Sequence, residues 1–303
     1  MRFILGVFWV LINFQTLNAQ ILYGTISDSL SKKTLAYANL SVLNSKYGTS
    51  TDSLGNFVLH LKKHPNDTLF ISMLGYQSKT IALHPFLKDR NQLDILLSVA
   101  NMDLDNVLLV YKKKKYSATK TLGVKRKKVK YKSSVPIGYE RSIFIKNDTG
   151  KTGKVTSVSF KLKKTQSDIY DVYPVYFRIK FYEINKSTKG PGAAISFNDY
   201  VVKPLNKNQT ITLEFENTFI PFLESGIFVS IETINPNPEK PLGSMYITTP
   251  NLLMTYDDEP LTYSSFRGQS WTHLKRKMRW KAFGKTRYYY ANPLVEVTVQ
   301  LEK

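Results

Sequence analysis

The sequence has no cysteine, and this absence excludes several kinds of site. Disulfides, thiol nucleophiles, thiolate metal ligands and a lipid-bearing cysteine after a leader all require that residue. Stability must therefore come from a hydrophobic core. Hydrophobic residues make up 42% of the chain and aromatic residues 13%, which argues against wholesale disorder. A mature chain of about 280 residues suits two domains, each large enough to bury a core.

Acidic residues are few compared with basic ones. The chain has 23 Asp and Glu against 43 Lys and Arg, for a formal net charge of +20. This excess should attract something anionic. For an exported protein the candidates are lipopolysaccharide phosphates, phospholipid head groups, acidic glycans or an acidic partner protein. Export disfavours nucleic acid as a partner, although charge alone does not decide against it.

Long apolar runs are absent after the N-terminus. The run from Phe3 to Phe14 follows the charged Arg2, and it is shorter than the roughly 20 residues that a membrane-spanning helix needs. Ala19 offers a small residue before a cut at Gln20. We therefore predict a secretory signal peptide over residues 1–19 and export to the periplasm or outer membrane, with secretion as the alternative.

Short alternating apolar runs fill the region from residue 20 to residue 100. The runs are Leu22–Ile26, Ala38–Val42, Phe57–Leu61, Leu69–Met73, Thr80–Leu83 and Leu93–Leu97. Turn signals such as Tyr47-Gly48 and Leu54-Gly55-Asn56 separate them. No segment here has a helical period, so the pattern predicts a small β-sandwich.

Four motifs in this region also carry a family resemblance. They are, in chain order, Gly24-Thr25-Ile26-Ser27-Asp28, Leu35-Ala36-Tyr37-Ala38-Asn39-Leu40, Gly48-Thr49-Ser50-Thr51-Asp52-Ser53-Leu54-Gly55-Asn56-Phe57 and Ile71-Ser72-Met73-Leu74-Gly75-Tyr76. In order and spacing they resemble the carboxypeptidase-regulatory-like domain. The resemblance implies a transthyretin-like β-sandwich over residues 20–100. It implies no peptidase activity, because the family is named for an appendage of certain carboxypeptidases.

The segment Met102–Val110 looks like the strand that ends the N-terminal extension of TonB-dependent outer-membrane receptors, in which such domains often occur. This resemblance implies an outer-membrane protein or complex as the partner. Only about 190 residues follow, too few for a plug and a large barrel. We therefore do not expect transport by this chain alone.

Residues 101–134 are predicted to form a basic linker. Positions 112–132 hold eleven basic residues and no acidic one. The segment is either a solvated spacer or a tether to a membrane or another anionic surface, where each basic residue near charged lipid can add about 1 kcal/mol. The candidate tether residues are Lys112, Lys113, Lys114, Lys115, Lys125, Arg126, Lys127 and Lys128.

Residues 135–303 again alternate with a period of two. The clearest runs are Val155–Leu162, Val175–Phe181, Ile211–Phe215, Ile227–Ile231 and Val295–Leu301. Charged residues such as Lys161, Arg178 and Lys180 alternate with the apolar ones, which predicts a sandwich with one face in water. About eight to ten antiparallel strands are typical of a jelly-roll-like sandwich. The predicted fold class is all-β, with a transthyretin-like sandwich followed by this larger one.

The sequence shows no catalytic constellation. His60 and His64 have the spacing of a helical zinc pair, but they lie on a strand pattern. Residues 149–154 lack the first glycine of a phosphate-binding loop and are interpreted as a hairpin turn. Asp257–Glu259 is interpreted as a solvated turn rather than a calcium loop. We predict a protein that is not an enzyme and uses no metal or cofactor. A cell-envelope carbohydrate-active enzyme is the alternative, because acids distant in sequence can meet in a cleft.

Basic and aromatic residues interleave from Phe266 to Tyr290. Rings beside cations can stack on sugars or bases and can pair with phosphates or carboxylates. The candidate binding residues are Trp271, Lys275, Arg276, Arg279, Trp280 and Arg287. The alternative is that the rings face the core and the basic residues face water.

The leading functional hypothesis is a noncatalytic, exported binding or assembly protein of the cell envelope that docks a protein at the outer membrane. Sandwich edges suit the addition of a partner's strand. Binding of an acidic polysaccharide or lipopolysaccharide by the basic, aromatic segment is the alternative.

Overall fold

A computed structural model describes residues 20–61, 67–86, 90–100, 114–124, 130–241, 245–282 and 285–303. Several predictions concern residues outside these ranges. They are the signal peptide at 1–19, the receptor-like strand at 102–110, His64, and the tether residues Lys112, Lys113, Lys125, Arg126, Lys127 and Lys128. None of the described residues belongs to a helix with the length and hydrophobicity of a membrane span.

The first domain is a sandwich of two four-stranded sheets. Its elements are β1 (Gln20–Asp28), β2 (Asn39–Val42), β3 (Gly48–Ser50), β4 (Asn56–Leu61), β5 (Thr68–Ser72), β6 (Lys79–Ala82), a short 3-10 helix (His84–Phe86), β7 (Arg90–Gln92) and β8 (Ile95–Leu97). One sheet has the order β4-β1-β7, with β8 also on β1, and the other has the order β3-β2-β5-β6. The β1–β7 and β1–β8 pairs are parallel.

The core of the first domain lies between these sheets. Period-two alternation turns Leu22, Leu40 and Phe57 inward, where they are at most 1% exposed. Gly24 is required on β1 because a Cβ there would lie 2.0 Å from the backbone carbonyl oxygen of Leu93. The predicted β-sandwich of this domain is confirmed.

The second domain contains many more strands. They are β9 (Lys120–Gly123), β10 (Lys130–Ser133), β11 (Tyr139–Ile145), β12 (Gly153–Lys163), β13 (Val172–Pro174), β14 (Tyr176–Ile184), β15 (Pro191–Ala194), β16 (Tyr200–Val202), β17 (Gln209–Glu214), β18 (Ile220–Phe222), β19 (Ile227–Ile234), β20 (Ile247–Thr249), β21 (Asn251–Asp257), β22 (Thr262–Phe266), β23 (Thr272–His273), β24 (Met278–Ala282), β25 (Lys285–Pro293) and β26 (Val295–Leu301). The number exceeds the predicted eight to ten because short strands share long partners. Strand β12, for example, pairs with β17 along one part and with β18 along another.

Two sheets enclose the second core. A nine-stranded sheet has the order β24-β25-β21-β12-β26-β9, with β10 on β21 and with β17 and β18 on β12. A seven-stranded sheet has the order β15-β14-β19-β11-β22-β23, with β16 on β14. Strands β13 and β20 form a separate parallel pair. Phe160 and Val297 from the first sheet meet Phe177 and Val229 from the second in one apolar cluster. The all-β, sandwich-like fold class is confirmed.

Part of the predicted linker belongs to the second domain. Strand β9 pairs with β26, and β10 pairs with β21, so both strands extend the nine-stranded sheet. Leu122 packs against the core and Val124 is 2% exposed within it. The sequence predicted a linker here because basic residues outnumber the apolar ones. The structure differs, since it places β9 and β10 in a sheet of the second domain.

The two domains meet through the outer faces of two sheets. Strand β2 of the first domain contacts the seven-stranded sheet of the second, and β3 and β5 contact the turn that follows β22 of that sheet. On β14, Phe177 and Ile179 face the second core, whereas Arg178 and Lys180 face the first domain. The prediction that these two cations face water is wrong, since they are 0% and 6% exposed. The first domain covers them.

Candidate functional site

A cluster of buried charges lies on the covered face of the seven-stranded sheet. We call Glu140, Arg178, Lys180 and Glu232 the ion cluster. Lys180 Nζ lies 2.9 Å from Glu140 Oε2 and 2.9 Å from Glu232 Oε2. Arg178 Nη1 lies 3.3 Å from Glu232 Oε2, and its Nε lies 2.6 Å from Asp199 Oδ1 at the rim. Each of the three carboxylates, those of Glu140, Glu232 and Asp199, therefore has a cation within ion-pair distance.

The strand register explains why the cluster needs these cations. Glu140 on β11 lies directly opposite Glu232 on β19, and like charges in that position destabilise a sheet. On the other side of β19, Arg178 on β14 lies opposite Glu232. The hydroxyl of Tyr182 donates a hydrogen bond of 2.9 Å to Glu140 Oε1. Three neighbouring strands thus contribute complementary groups.

The pKa values of the cluster follow from this pairing. Burial raises the pKa of Glu232, but Lys180 and Arg178 lower it further, so that it lies at about 2. Burial lowers the pKa of Lys180, and the carboxylates of Glu140 and Glu232 more than offset this effect and raise it. Glu232 and Lys180 are therefore both charged at neutral pH.

The first domain contributes mainly neutral acceptors to the interface. Arg178 Nη1 donates to the backbone carbonyl of Tyr37 at 3.0 Å, and Nη2 donates to that of Ala36 at 3.4 Å. The amide of Asn39 donates to Glu232 Oε1. Ala36, Tyr37 and Asn39 belong to one of the motifs that carry the family resemblance. This segment therefore covers the ion cluster as well as building the first sandwich.

The turn after β22 forms a second attachment between the domains. Arg267 is 4% exposed, and its Nη1 donates to Asn39 Oδ1 at 3.2 Å and to the carbonyl of Thr49. Burial lowers the pKa of Arg267 to about 10. Gln269 Nε2 donates to Ser41 Oγ at 3.0 Å. In return, the hydroxyl of Ser72 donates to the carbonyl of Arg267 at 3.1 Å.

A cleft opens beside this interface, and both domains line it. Its first cavity has a volume of about 770 Å³, and its aromatic lining consists of Tyr47, Tyr139, Tyr246 and Phe266. A second cavity of about 680 Å³ adjoins it along β4. The two cavities share Val58, His60, Glu239 and Lys240. We call these two adjoining cavities the cleft.

The six predicted binding residues do not all lie together. Trp271 is half-buried and packs edge-on against Tyr182, with ring centroids 5.6 Å apart, on the seven-stranded sheet. The connection from β23 to β24 holds Lys275 and Arg276, which are exposed. Arg279 is exposed on β24 and lies opposite Tyr288 on β25. The alternative that the rings face the core does not describe Tyr288, which is 59% exposed.

The other two predicted residues lie on the same hairpin. Trp280 on β24 is directly opposite Arg287 on β25 in the strand register, and their side chains lie outside the described part of the structure. Lys277 precedes the hairpin, and its Nζ lies 5.7 Å from the ring centroid of Tyr290. The hairpin and its approach therefore bring together all the predicted binding residues except Trp271.

Of the candidate tether residues, Lys114 and Lys115 lie in the described part of the structure, and the segment at 149–154 is described too. Lys114 Nζ lies 2.6 Å from Glu302 Oε1 at the surface, and Lys115 is exposed. The loop at 146–152 joins β11 and β12, which lie in different sheets, so it is not the hairpin turn that we predicted. No helix follows it. Within the described ranges, no group of three potential metal ligands lies close together.

Comparison with known families identifies the first domain. Residues 22–109 match the family described as the CarboxypepD_reg-like domain, which confirms the resemblance seen in the motifs. The match covers less than a third of the chain. A comparison with curated proteins found no match.

Sequence reasoning missed the ion cluster and the cleft. The available signal was Glu232, an acid within the strongly apolar strand β19, in which every residue is buried. A buried carboxylate at such a position requires a cation close to it. Nothing in the sequence indicated that the cation would come from β14 or that another domain would cover the pair.

Proposed function

We propose that this chain is a noncatalytic, exported binding and assembly protein of the cell envelope that docks a protein partner at the outer membrane. One observation carries the proposal. The charged side chains of Arg178, Glu232 and Arg267 bond to the first domain, whereas no described strand pairs with the β4 edge that lines the cleft beside them. Such open edges suit the addition of a partner's strand.

The state of the buried acids supports a noncatalytic role. Glu140 and Glu232 come from different strands and face each other, as the two acids of a glycoside hydrolase do. Their side chains are only 3% exposed and both contact Lys180. A substrate has no access to them while the first domain is in place.

The proposal is tested by cross-linking the exported protein in living cells and identifying the recovered proteins by mass spectrometry. We expect a specific outer-membrane protein in a fixed ratio to the chain. A variant with Lys112–Lys115 and Lys125–Lys128 changed to Gln is the matched control for electrostatic adhesion. Recovery of the same partner with this variant supports docking and excludes the tether. Recovery of no envelope protein above background contradicts the proposal.

The exposed hairpin favours a second candidate function, which is binding of an acidic polysaccharide or lipopolysaccharide. The cations Lys275, Arg276 and Arg279 are exposed, and the aromatic ring of Tyr288 lies across the strand from Arg279. A ring beside cations can stack on a sugar while the cations pair with its phosphate or carboxylate.

Binding to purified lipopolysaccharide at several salt concentrations tests this candidate. We expect affinity to fall with salt and to drop about tenfold or more in the variant Arg276→Ala with Trp280→Ala. Changing the exposed Lys186 and Lys207 to Ala removes two cations elsewhere and serves as the control. Equal affinity of the two double variants would remove the hairpin as the binding surface.

A further inference from the structure

The two sheets of the first sandwich end side by side at the cleft. Strand β4 is the terminal strand of one sheet and β3 is the terminal strand of the other. Residues of both strands line the first cavity, opposite Pro136–Tyr139 and Asn235–Pro241 of the second domain. Among the described strands, none pairs with the outer edge of β4. A strand edge therefore faces a cavity.

The direction of the backbone groups on β4 follows from its ladder with β1. Ile26 N donates to the carbonyl of Gly55, so the alternate residues Phe57, Leu59 and Leu61 also direct their backbone groups towards β1. The backbone groups of Val58 and His60 must then point the opposite way, and there the carbonyl of His60 accepts a hydrogen bond from the Tyr47 hydroxyl. Both residues line both cavities of the cleft. Among the described residues, the N–H and carbonyl of Val58 and the N–H of His60 are thus the backbone groups that this edge presents to an incoming strand.

The charges around the first cavity are unbalanced. Lys46, Lys240 and Arg267 line it together with one acid, Glu239. Lys46 and Lys240 are exposed, and Lys46 Nζ lies 5.9 Å from the centroid of the Tyr139 ring. No described carboxylate lies within ion-pair distance of Lys46 or Lys240. Cations that have no partner in this cavity complement acidic side chains on a ligand.

The lining between the charges is apolar. Tyr47, Tyr139, Tyr246 and Phe266 surround the cavity, and Val58 lies at its junction with the second cavity. An added strand directs alternate side chains to opposite sides, so one set would contact these rings while the other approaches the lysines. A ligand with alternating apolar and acidic residues satisfies both requirements.

We propose that the cleft binds an extended acidic peptide segment of the partner protein, which adds as a strand to the outer edge of β4. This inference rests on the proposed docking function and names its site. The two backbone groups of Val58 and the N–H of His60 supply the hydrogen bonds. The four aromatic rings receive the apolar side chains, and Lys46 and Lys240 pair with the acidic ones. At the start of β4 the backbone of Asn56 bonds to Asp52 of the preceding turn, so the segment adds alongside Val58 and His60.

The probe for this inference is a displayed library of random peptides of about eight residues, the length that covers β4. Peptides selected on the full mature chain should be rich in Asp and Glu, should alternate acidic with apolar residues, and should lack proline in the centre. The strongest of them is then synthesised for affinity measurements. Selected peptides without an acidic preference would contradict the inference.

Two cleft variants test where the peptide binds. The variant Lys46→Glu with Lys240→Glu should bind it about tenfold more weakly, while Lys186→Glu with Lys207→Glu, which changes the net charge equally, should bind it as the wild type does. Val58→Pro removes one outward backbone donor and should weaken binding up to about tenfold. Because proline can unfold a strand, the charge variants decide the result if Val58→Pro does not fold. Equal affinity in the two charge variants overturns the inference.

The cross-linking experiment separates this inference from the proposed function. A partner captured by the wild type and lost from the Lys46→Glu with Lys240→Glu variant supports both. A partner captured equally by that variant leaves the docking function standing and overturns the cleft as its site. Competition by lipopolysaccharide for the selected peptide, with equal loss in the charge variant, would show a general anion site and would also overturn strand addition.

Discussion

Lys180 holds together two carboxylates that would otherwise repel each other. Glu140 and Glu232 lie opposite each other on neighbouring strands, and the ammonium group is 2.9 Å from both. All three side chains are at most 7% exposed, so water screens their interaction little. Removing one partner from such a buried group leaves an uncompensated charge.

We expect Lys180→Ala to lower the free energy of unfolding by about 3–5 kcal/mol. Urea unfolding at neutral pH measures the change. Lys163→Ala, at the exposed end of β12, is the matched control and should change stability by no more than about 0.5 kcal/mol. Similar losses in the two variants would show that the cluster contributes nothing specific.

The low pKa of Glu232 makes the free energy of unfolding depend on pH. Its pKa is about 2 in the folded chain, against an ordinary value of 4.5. Because the folded value is depressed, the carboxylate stabilises the fold above about pH 5, and this stabilisation is lost as the pH falls towards 2. The contribution is on the order of 3 kcal/mol.

A comparison of the wild type with Glu232→Gln isolates this effect. The wild type should exceed the variant in stability by a constant amount above about pH 5, and the difference should shrink steadily below it. Urea unfolding from pH 7 to pH 3 measures both chains. A difference that does not change over this range would assign the acid response to other carboxylates.

The alternation of residues along β14 predicted which side chains would face the core of the second domain. It did not predict that the first domain would cover the side chains on the opposite face. Phe177 and Phe181 were placed in the core correctly from their alternation along β14. Arg178 has the same period on the opposite side, and a charged side chain there normally faces water. Its burial depends on the carboxylates of Glu232 and Asp199 and on the carbonyls of Ala36 and Tyr37, which lie more than a hundred residues earlier in the chain.

At the scale of elements, the turn after β22 is inserted closely against β5. Gly268 has a φ of 77°, and a Cβ there would lie 2.3 Å from Ser72 Oγ and 3.0 Å from Ser72 Cβ. The turn therefore depends on glycine for two reasons, its backbone conformation and its approach to the other domain.

Gly268→Ala should lower the free energy of unfolding by about 2–4 kcal/mol, of which about 1–2 kcal/mol comes from the left-handed conformation. In a Ser72→Gly background the contact disappears, so the same change should cost only the conformational part. Urea unfolding of the four chains of this double-mutant cycle measures the coupling. Additive effects would show that the turn and β5 do not touch in solution.

Long strands were easier to predict than short ones. Strands β12, β14, β19 and β26 each bury several alternating apolar residues, so their period was visible. Three-residue strands such as β18 are too short to show a period. They are strands because a longer neighbour offers free backbone groups, which is a property of the tertiary fold.

At the scale of the whole molecule, the interface should make the two sandwiches unfold together. Each has its own apolar core, yet the ion cluster stays buried only while the first domain covers it. Detachment would expose its face to water and break the hydrogen bonds that Arg178 and Arg267 make to the first domain. The free energy of detachment should then approach that of unfolding.

Hydrogen exchange followed by mass spectrometry tests this coupling. Amides of β2 and β19 should exchange with the same free energy in the wild type. In Arg267→Ala, which loses the bonds to Asn39 and Thr49, the amides of β2 should exchange with a lower free energy than those of β19. Different values for the two strands in the wild type would show that the sandwiches open independently.

The sequence predicted two sandwiches and the family of the first, because composition and local motifs report on each core separately. It could not predict how they attach. The attachment joins Asn39 to Glu232 and Arg267, residues separated by about two hundred positions, and no local pattern records such a contact.

The first domain holds the cations of the second largely through backbone carbonyls, those of Ala36, Tyr37 and Thr49. Every amino acid carries that oxygen. These bonds therefore constrain the path of the chain at the three positions and not the identity of their side chains, whereas they require Arg178 and Arg267. Among descendants of this gene, the fusion of the two sandwiches should be recognisable from the persistence of those two arginines together with Asn39, whose side chain bonds to Glu232 and Arg267.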